Sequence, residues 1–582
     1  ESTHSTTLAP DATLSAASIT LGANRIAVGE ADGSPVAATT LVLTPALAAQ
    51  VASGKSLTLR SFDGIDLLGT VTLGSSALQS LNLDTGTLRL VGSNANASIE
   101  AAGVTLVNSS GSNTEVAAGS GQLRINASGA NGGTGQVVIG PGNTSVTGAA
   151  ALTLAAAHEV VVAGQGQLAA SGDMTIQASA LQATQAGNAR LTALGRFTLA
   201  ANGSAAQAEA GVGSHLAIQA AAIEQAGSIV LPSGELALTA ATGDVHLAGG
   251  ATIDLAGRSK TFDTVVVATS GGDLSASATL GNVRIDTGAL LDVSAAPAAG
   301  SGGSAGSLAL AATGGSVTIG ASLRGNSGAG QGGATLSIDS AAALDLGALA
   351  KTLAASAGNF TESISVRNRV GDQLFAGGGP GLAAHHIALA SDGGSLTVAG
   401  TLDASGASGT SVVLAAGNTL TLTDGALISA HGSGRAGGEV QLMAGTVTDG
   451  SLLPNGQVML NGGVIDTSAA SGGADGKLFI RAQRTDVGTE VRVGRSTGSA
   501  GTSVMGSGGI EVEAVKQYQT DTIDTAFIDQ VNADNSAFAG VSGANAAQSR
   551  NRLAGLFRQS PAVPFVQLRA GVEVDQTDAG TD

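Results

Sequence analysis

Carboxylates, imidazoles and guanidinium groups are the side chains of this 582-residue chain that could do chemistry, because it has no Cys, no Trp and a single Tyr, Tyr518. Paired carboxylates would serve general acid–base cleavage of a glycosidic bond, or, with calcium and a cationic base, cleavage of an acidic polysaccharide. Two pairs stand close enough, Asp63 with Asp66 and Asp521 with Asp524. An odd spacing sends the members of each pair to opposite faces of an extended strand, so both pairs read as turn or surface acids. Adjacent His385 and His386 would point one inward and one outward, which prevents joint chelation of a metal. Arg367 and Arg369 lie two apart and share a face, and with Asp372 nearby they read as a salt bridge or a cap on a wide coil. These residues yield no catalytic, metal or cofactor site, and the chain reads as non-enzymatic.

Other motifs carry little chemistry. The runs Gly377-Gly-Gly-Pro-Gly and Ser301-Gly-Gly-Ser are not followed by Lys-Ser/Thr or a helix start, so they read as corner loops and not phosphate cradles. Gly472-Gly-Ala-Asp has the wrong spacing for a calcium-binding nonapeptide. The sequons at Asn96, Asn108, Asn126, Asn143, Asn202 and Asn359 are what chance provides in a chain rich in Ser, Thr and Asn. With 43 acidic against 25 basic residues and a formal charge of −18, nucleic acid is excluded as a main partner, since a polyanion gains nothing from phosphate neutralisation. The longest apolar run, Ala149 to Gly164, is broken by His158 and Glu159, so no spanning helix is expected. Ten Phe and one Tyr are too few for the aromatic girdles of a membrane barrel.

The elements that must position these residues are short and repetitive. Leu57-Thr-Leu, Leu81-Asn-Leu, Val104-Thr-Leu, Leu152-Thr-Leu, Leu236-Ala-Leu, Val317-Thr-Ile, Leu396-Thr-Val and Leu420-Thr-Leu alternate apolar and polar residues, the period of strands buried on one side. Gly, Ser, Asn and Asp clusters separate them at intervals too short for crossover helices, so turns alone link the strands. A second motif recurs at 250–257, 288–294, 400–406, 425–432 and 462–468, in forms such as Gly-Ala-Thr-Ile-Asp-Leu-Ala-Gly and Gly-Gly-Val-Ile-Asp-Thr-Ser. The fullest unit reads Leu396-Thr-Val, Thr401 to Ala404, Val412-Val-Leu, and restarts at Leu420. Three short strands per coil predict an all-β, right-handed parallel β-helix, with Leu414 and Leu422 facing inward and Thr421 outward. At roughly 22 residues and 4.8 Å per coil its shaft would be a rod on the order of 110 Å long.

The high Gly content, 88 residues, suits corners that need positive φ. Few charges are expected on stacked strands, where like charges repel. The shaft is expected over 1–515, with helical insertions near 44–53, where Thr44-Pro45 supplies a cap and a first-turn Pro, and near 348–357. A helical excursion is expected over 516–565, from Ile523, Phe527 and Val531 at four-residue spacing. Over 566–582 strand is expected to resume and to end in a frayed tail, Asp575 to Asp582. The opening Glu-Ser-Thr-His has no basic or apolar region, so no signal peptide is expected in it.

Several segments, taken in order, resemble the filamentous-haemagglutinin-like exoproteins of Gram-negative two-partner secretion. They are Val42-Leu-Thr-Pro-Ala-Leu with Leu57-Thr-Leu-Arg-Ser-Phe-Asp-Gly-Ile-Asp-Leu, Val366-Arg-Asn-Arg-Val-Gly-Asp, the Leu402-Asp-Ala-Ser-Gly coils, and Leu568-Arg-Ala-Gly-Val-Glu-Val. The resemblance covers nearly the whole chain. It implies a β-helical shaft, an outer-membrane transporter as secretion partner, a location at the Gram-negative cell surface or beyond it, and adhesion to a cell or surface receptor. The Asn-Pro-Asn motifs of the family's amino-terminal secretion domain and the Arg-Gly-Asp tripeptide of some members are absent, so the chain reads as an internal segment of a longer one. A stalk of a contact-dependent growth-inhibition toxin would look the same, and a polysaccharide-acting β-helix enzyme is the alternative of a different class. The amino-terminal edge, Ala12 to Ile26, consists mainly of small polar and apolar residues, which favours end-to-end self-association.

Overall fold

The computed structural model describes residues 14–30, 39–112, 116–207, 209–263, 265–297, 302–356, 359–406, 409–434, 436–445, 456–485, 488, 490–539, 544–558 and 566–575. Pro561, Pro564 and the tail from 576 lie outside these residues. The fold is all-β: strand makes up 53% of it, in long parallel sheets, beside four α-helices among the described residues. Two compact units form, Glu1–Gly314 with Thr318–Gln331, and Gly315–Val317 with Gly332–Asp582.

In the first unit, from Val104 onward, the chain visits three parallel ladders in turn. One runs through Gly121–Ala127, Ala149–Ala156, Asp173–Ala178, Arg196–Ala201, Ala222–Ala226 and Val245–Leu247. A second runs through Val137–Ile139, Glu159–Val162, Ala180–Ala183, Ser228–Val230, Thr252–Asp254 and Leu290–Asp292. The third runs through Gly142–Thr147, Gln165–Ala170, Asn188–Ala193, His215–Ala220, Glu235–Ala240 and Asp273–Ala278. Register places like residues above one another: Leu152, Met174, Phe197, Ile223 and Val245 form one buried column. Leu168, Leu191, Ile218 and Leu238 form another. Each strand hides alternate side chains from water, so the hydrophobic gain and the ladder hydrogen bonds come from the same residues.

Two departures interrupt the circuits. Between Arg196–Ala201 and His215–Ala220 the second ladder is skipped, and Leu181 pairs directly with Ile229. The intervening loop is tied down by the Asn202 amide, which donates to the Ala156 and Ala157 carbonyls at 2.7 and 3.0 Å. Later, Ser259–Phe262 and Val265–Ala268 form an antiparallel ribbon outside the ladders.

The recurring Gly-to-Asp motif now has a physical meaning. Its strands lie at equivalent positions in the ladders, and the side chain at its acidic position folds back to accept a hydrogen bond from the N–H two residues on. Asp254, Asp292, Asp403 and Asp466 do this at 2.9 to 3.0 Å. Ser429 does the same more weakly at 3.4 Å. Such a turn lets the chain leave the strand without an orphaned donor. Gly250, which precedes the first of these strands, has φ +90°, a conformation that costs a glycine nothing.

The second unit repeats the plan. Its longest ladder runs through Thr335–Ser340, Ser363–Asn368, His386–Ser391, Ser411–Ala416, Glu439–Ala444, Gly476–Gln483, Ser507–Gln519 and Val566–Asp575. Two shorter ladders start at Gln373–Phe375 and Leu382–Ala383 and pass through Leu396–Val398 and Thr401–Asp403. Leu414 is fully buried between Leu389 and Leu442, Leu422 is buried, and Thr421 is half-exposed.

The helices sit on the ladders. α1, Pro45–Val51, begins at Thr44, whose hydroxyl accepts from the Leu47 N–H at 3.4 Å, and it buries Leu47, Ala48 and Val51. α2, Leu346–Ala355, is capped by Asp345 and buries Leu346, Leu349, Ala350 and Leu353. α3, Thr525–Ala539, and α4, Ala544–Ala554, pack on Val566–Asp575. The strand Ser507–Gln519 runs across position 515, where the shaft was expected to end, because Lys516 to Gln519 keep their register with Val572 to Asp575. The chain is also back in strand at Phe557–Arg558, inside the stretch expected to be helical up to 565.

Candidate functional site

The best-built charged cluster lies in the first unit, where Asp63 and Asp66 face the same two arginines. Arg25 donates from Nη1 to Asp63 Oδ2 at 3.0 Å and from Nε to Asp66 Oδ2 at 2.6 Å. Arg89 Nη1 lies 3.4 Å from Asp66 Oδ1 and Arg89 Nη2 lies 3.9 Å from Asp63 Oδ1. The expectation that these acids occupy opposite faces is therefore corrected. Ala23 pairs with Ser61 but Arg25 pairs with Gly64, so one extra residue bulges from the strand and turns Asp63 to the side of Asp66. Ser61 Oγ, buried, bonds across the bulge to the Asn24 and Gly64 carbonyls at 3.0 and 2.6 Å. Gly64 lets Arg89 pass: a Cβ there would stand 2.3 Å from its Nη1. The Asp66 carboxylate holds the Arg25 guanidinium above its ordinary range, against the opposing effect of partial burial. Both carboxylates are occupied by guanidinium groups, so the cluster is a clamp between neighbouring strands.

The remaining candidates separate. Asp524 caps α3, accepting from the Phe527 N–H at 2.8 Å. His385 and His386 are both exposed, which corrects the inward and outward assignment; the strand begins only at His386, so the alternation does not include His385. They take different partners, Glu362 at 3.6 Å and Ser411 Oγ at 3.0 Å. Arg367 and Arg369 do share a face, yet their partners are not Asp372. Arg369 pairs with Asp339, on the neighbouring strand, at 2.7 Å, and Arg367 with Asp392, in the turn after His386–Ser391, at 2.7 Å, while Asp372 accepts from the Ser395 N–H.

Cross-strand register governs the charges generally. Arg60 stands opposite Asp84, Asp339 opposite Arg367, and Arg481, Glu513 and Arg569 stack in that order. Opposite charges directly across a ladder stabilise it, and like charges do the reverse. Asp254 opposite Asp292 and Glu235 opposite Asp273 are like-charged exceptions; in the first pair each has its own arginine, Arg258 at 2.6 Å and Arg324 at 3.7 Å, and in the second Glu235 meets His215 at 2.8 Å. At Asp84, burial pushes the carboxyl up, but the Ser109 hydroxyl and N–H together with Arg60 outweigh it and hold it below the usual range. His246 sits in such a stack with carboxylates at both ring nitrogens, Glu224 at 2.8 Å and Asp286 at 2.9 Å, and with Arg284 beside it.

A part-buried polar cluster around buried Tyr518 in the second unit escaped the sequence patterns. Tyr518 Oη donates to Asp534 Oδ2 at 2.8 Å, and Lys516 Nζ donates to the same oxygen at 2.6 Å, joining α3 to the strand below. Phe527 meets the Tyr518 ring edge-on, centroids 5.6 Å apart. Burial pushes the Tyr518 phenol up to about 12 from 10.0, with help from the hydrogen bond and charge of Asp534. Because Tyr518 is the only Tyr and there is no Trp, tyrosinate absorbance reports this group alone. Alkaline titration should show a midpoint near 12, and Asp534→Asn should lower it. A wild-type midpoint at the ordinary 10.0 would mean that α3 does not dock. The raised value also fixes a stability window: the phenol's contribution is complete below pH 10 and is lost as pH rises toward 12.

No cluster of three His, Asp or Glu with metal-binding geometry occurs among the described residues, and no described helix is long and apolar enough to cross a membrane. The chain matches no protein-family model, no curated protein and no solved structure.

Proposed function

We propose that the chain is a right-handed parallel β-helix serving as the non-enzymatic shaft of a large secreted bacterial surface protein of the filamentous-haemagglutinin kind, adhering to cells or surfaces. The observation that carries this reading is the use of three parallel ladders in turn in each unit, with apolar columns inside and polar or oppositely charged stacks outside. Parallel crossovers are right-handed in about 98% of cases, which supports the hand. A surface of this kind suits an extended spacer, since every circuit adds length without needing a new core. The partners of this reading are an outer-membrane two-partner-secretion transporter, a receptor on a host or bacterial surface, and a second copy meeting the chain end to end.

Beads coated with the purified chain should retain epithelial or bacterial cells above albumin-coated beads, and soluble chain should compete. Failure to retain any cell type would overturn the adhesive reading. Turnover of an acidic polysaccharide that disappears in Asp63→Asn or Asp66→Asn would instead favour an enzyme.

A further inference from the structure

On the outer face of the second unit a notch of about 380 Å³ opens over the strands Gly476–Gln483, Ser507–Gln519 and Val566–Asp575. Its cause is a slip in register. Gly476 pairs with Ser507, whereas Leu478 pairs with Ile510, so Gly508-Gly509 bulges and leaves a gap in the outward column above Lys477. A Cβ at Gly509 would meet nothing within 4 Å, so this glycine keeps space open and is not required by local crowding. Phe479, half-buried and one of only ten Phe in the chain, lines the notch. Around it stand Glu439 beside Lys477 on one flank, and Glu511, Gln567 and Arg569 on the other, with Arg569 Nη2 on Glu511 Oε2 at 2.6 Å.

We propose that this notch binds a neutral saccharide unit, its apolar C–H face stacked on the Phe479 ring and its hydroxyl groups bonded to the surrounding side chains. The volume lies near the lower end of small-molecule sites, roughly 300–1,000 Å³, and Phe479 supplies the apolar surface of the notch, because Leu478 and Ile510 are buried in the interior and the remaining side chains lining it are polar. Charge decides the ligand class. An anion would meet Glu439 and Glu511, a cation would meet Lys477 and Arg569, and the four charges cancel. A hydroxyl group both donates and accepts, so a sugar ring satisfies carboxylates and cations together. The net charge of −18 further opposes sulfated or sialylated glycans. The inference deepens the adhesive reading by naming a ligand class, but its geometry does not depend on that reading: a chain that binds sugar without retaining cells would sink the adhesive reading and leave this one standing.

The test is a glycan array carrying neutral hexose- and N-acetylhexosamine-terminated oligosaccharides beside sulfated and sialylated ones, followed by titration calorimetry with the best neutral oligosaccharide. Neutral glycans should bind saturably and in preference to the anionic ones. Phe479→Leu keeps an apolar floor but removes the ring, and should weaken binding at least about tenfold, or 1.4 kcal/mol. Gly509→Leu should fill the notch and abolish binding while leaving the melting temperature unchanged. If Gly509→Leu fails to fold, Phe479→Leu decides alone. The proposal is overturned if no neutral glycan binds, if anionic glycans bind more tightly, or if the folded variants bind as the parent does.

Discussion

Leu414→Asp should unfold the circuits around it, at a cost of at least about 3 kcal/mol, because the side chain sits fully buried between Leu389 and Leu442 with no polar group in its column. Leu422→Asp should behave alike, between Val398 and Leu460. Thr421→Asp, one residue away and half-exposed, should cost under about 1 kcal/mol. Contrast within three residues tests the inward and outward alternation itself. A repetitive array need not melt in one step, so hydrogen exchange of the Ser411–Ala416 and Thr419–Leu422 amides is the better readout. Equal protection in all three variants would show the register to be wrong.

Arg484→Ala should release α3 from the second unit. Arg484 is 6% exposed, and its guanidinium donates to the Ala514 and Gly571 carbonyls at 3.1 and 3.3 Å and to the Asn535 side chain, while the Phe538 ring lies 4.5 Å away. Burial lowers its pKa, opposed by Tyr518 and Asp534. Truncation strands several buried acceptors and opens a void beside Phe538, for a loss of about 3 kcal/mol. The sign of a second measurement separates detachment from simple loss of charge. The Arg484 charge lowers the Tyr518 pKa, so its removal with α3 still docked would raise the alkaline midpoint further. Undocking would bring the midpoint down toward 10.0, and this fall is the expected result.

Local patterns of period two were enough to place most inward residues. Leu396-Thr-Val, Thr401 to Ala404 and Val412-Val-Leu match three successive strands, Leu396–Val398, Thr401–Asp403 and Ser411–Ala416, with Ala404 just past the second, because alternation and turn residues act within a few positions. Asp63 and Asp66 were misplaced for an equally local reason, a one-residue bulge that alternation has no means of announcing. The notch and the buried arginine were beyond reach for the opposite reason. Arg484 and the Gly571 carbonyl that it bonds are 87 residues apart, and Phe479 meets Glu511 and Gln567 only once the register is known. Pairings of that kind are set by how long each intervening loop happens to be.

The short step between most stacked neighbours also bears on how the chain reaches its native state, although Thr87 and Ser145 are 58 apart and Ile510 and Val566 are 56 apart. Arg60 and Asp84 are 24 residues apart, and even across the circuit that carries the antiparallel ribbon, Asp244 and Asn282 are only 38 apart. The separation between partners therefore stays bounded however many circuits a unit contains. Loop-closure entropy rises only with the logarithm of loop length, so the ribbon adds little to the cost of that circuit. Each new circuit can zip onto the exposed rim of the one before it, and the barrier is concentrated in the first circuits, which have no template. Growth in length then slows folding far less than growth in the size of a globular core would.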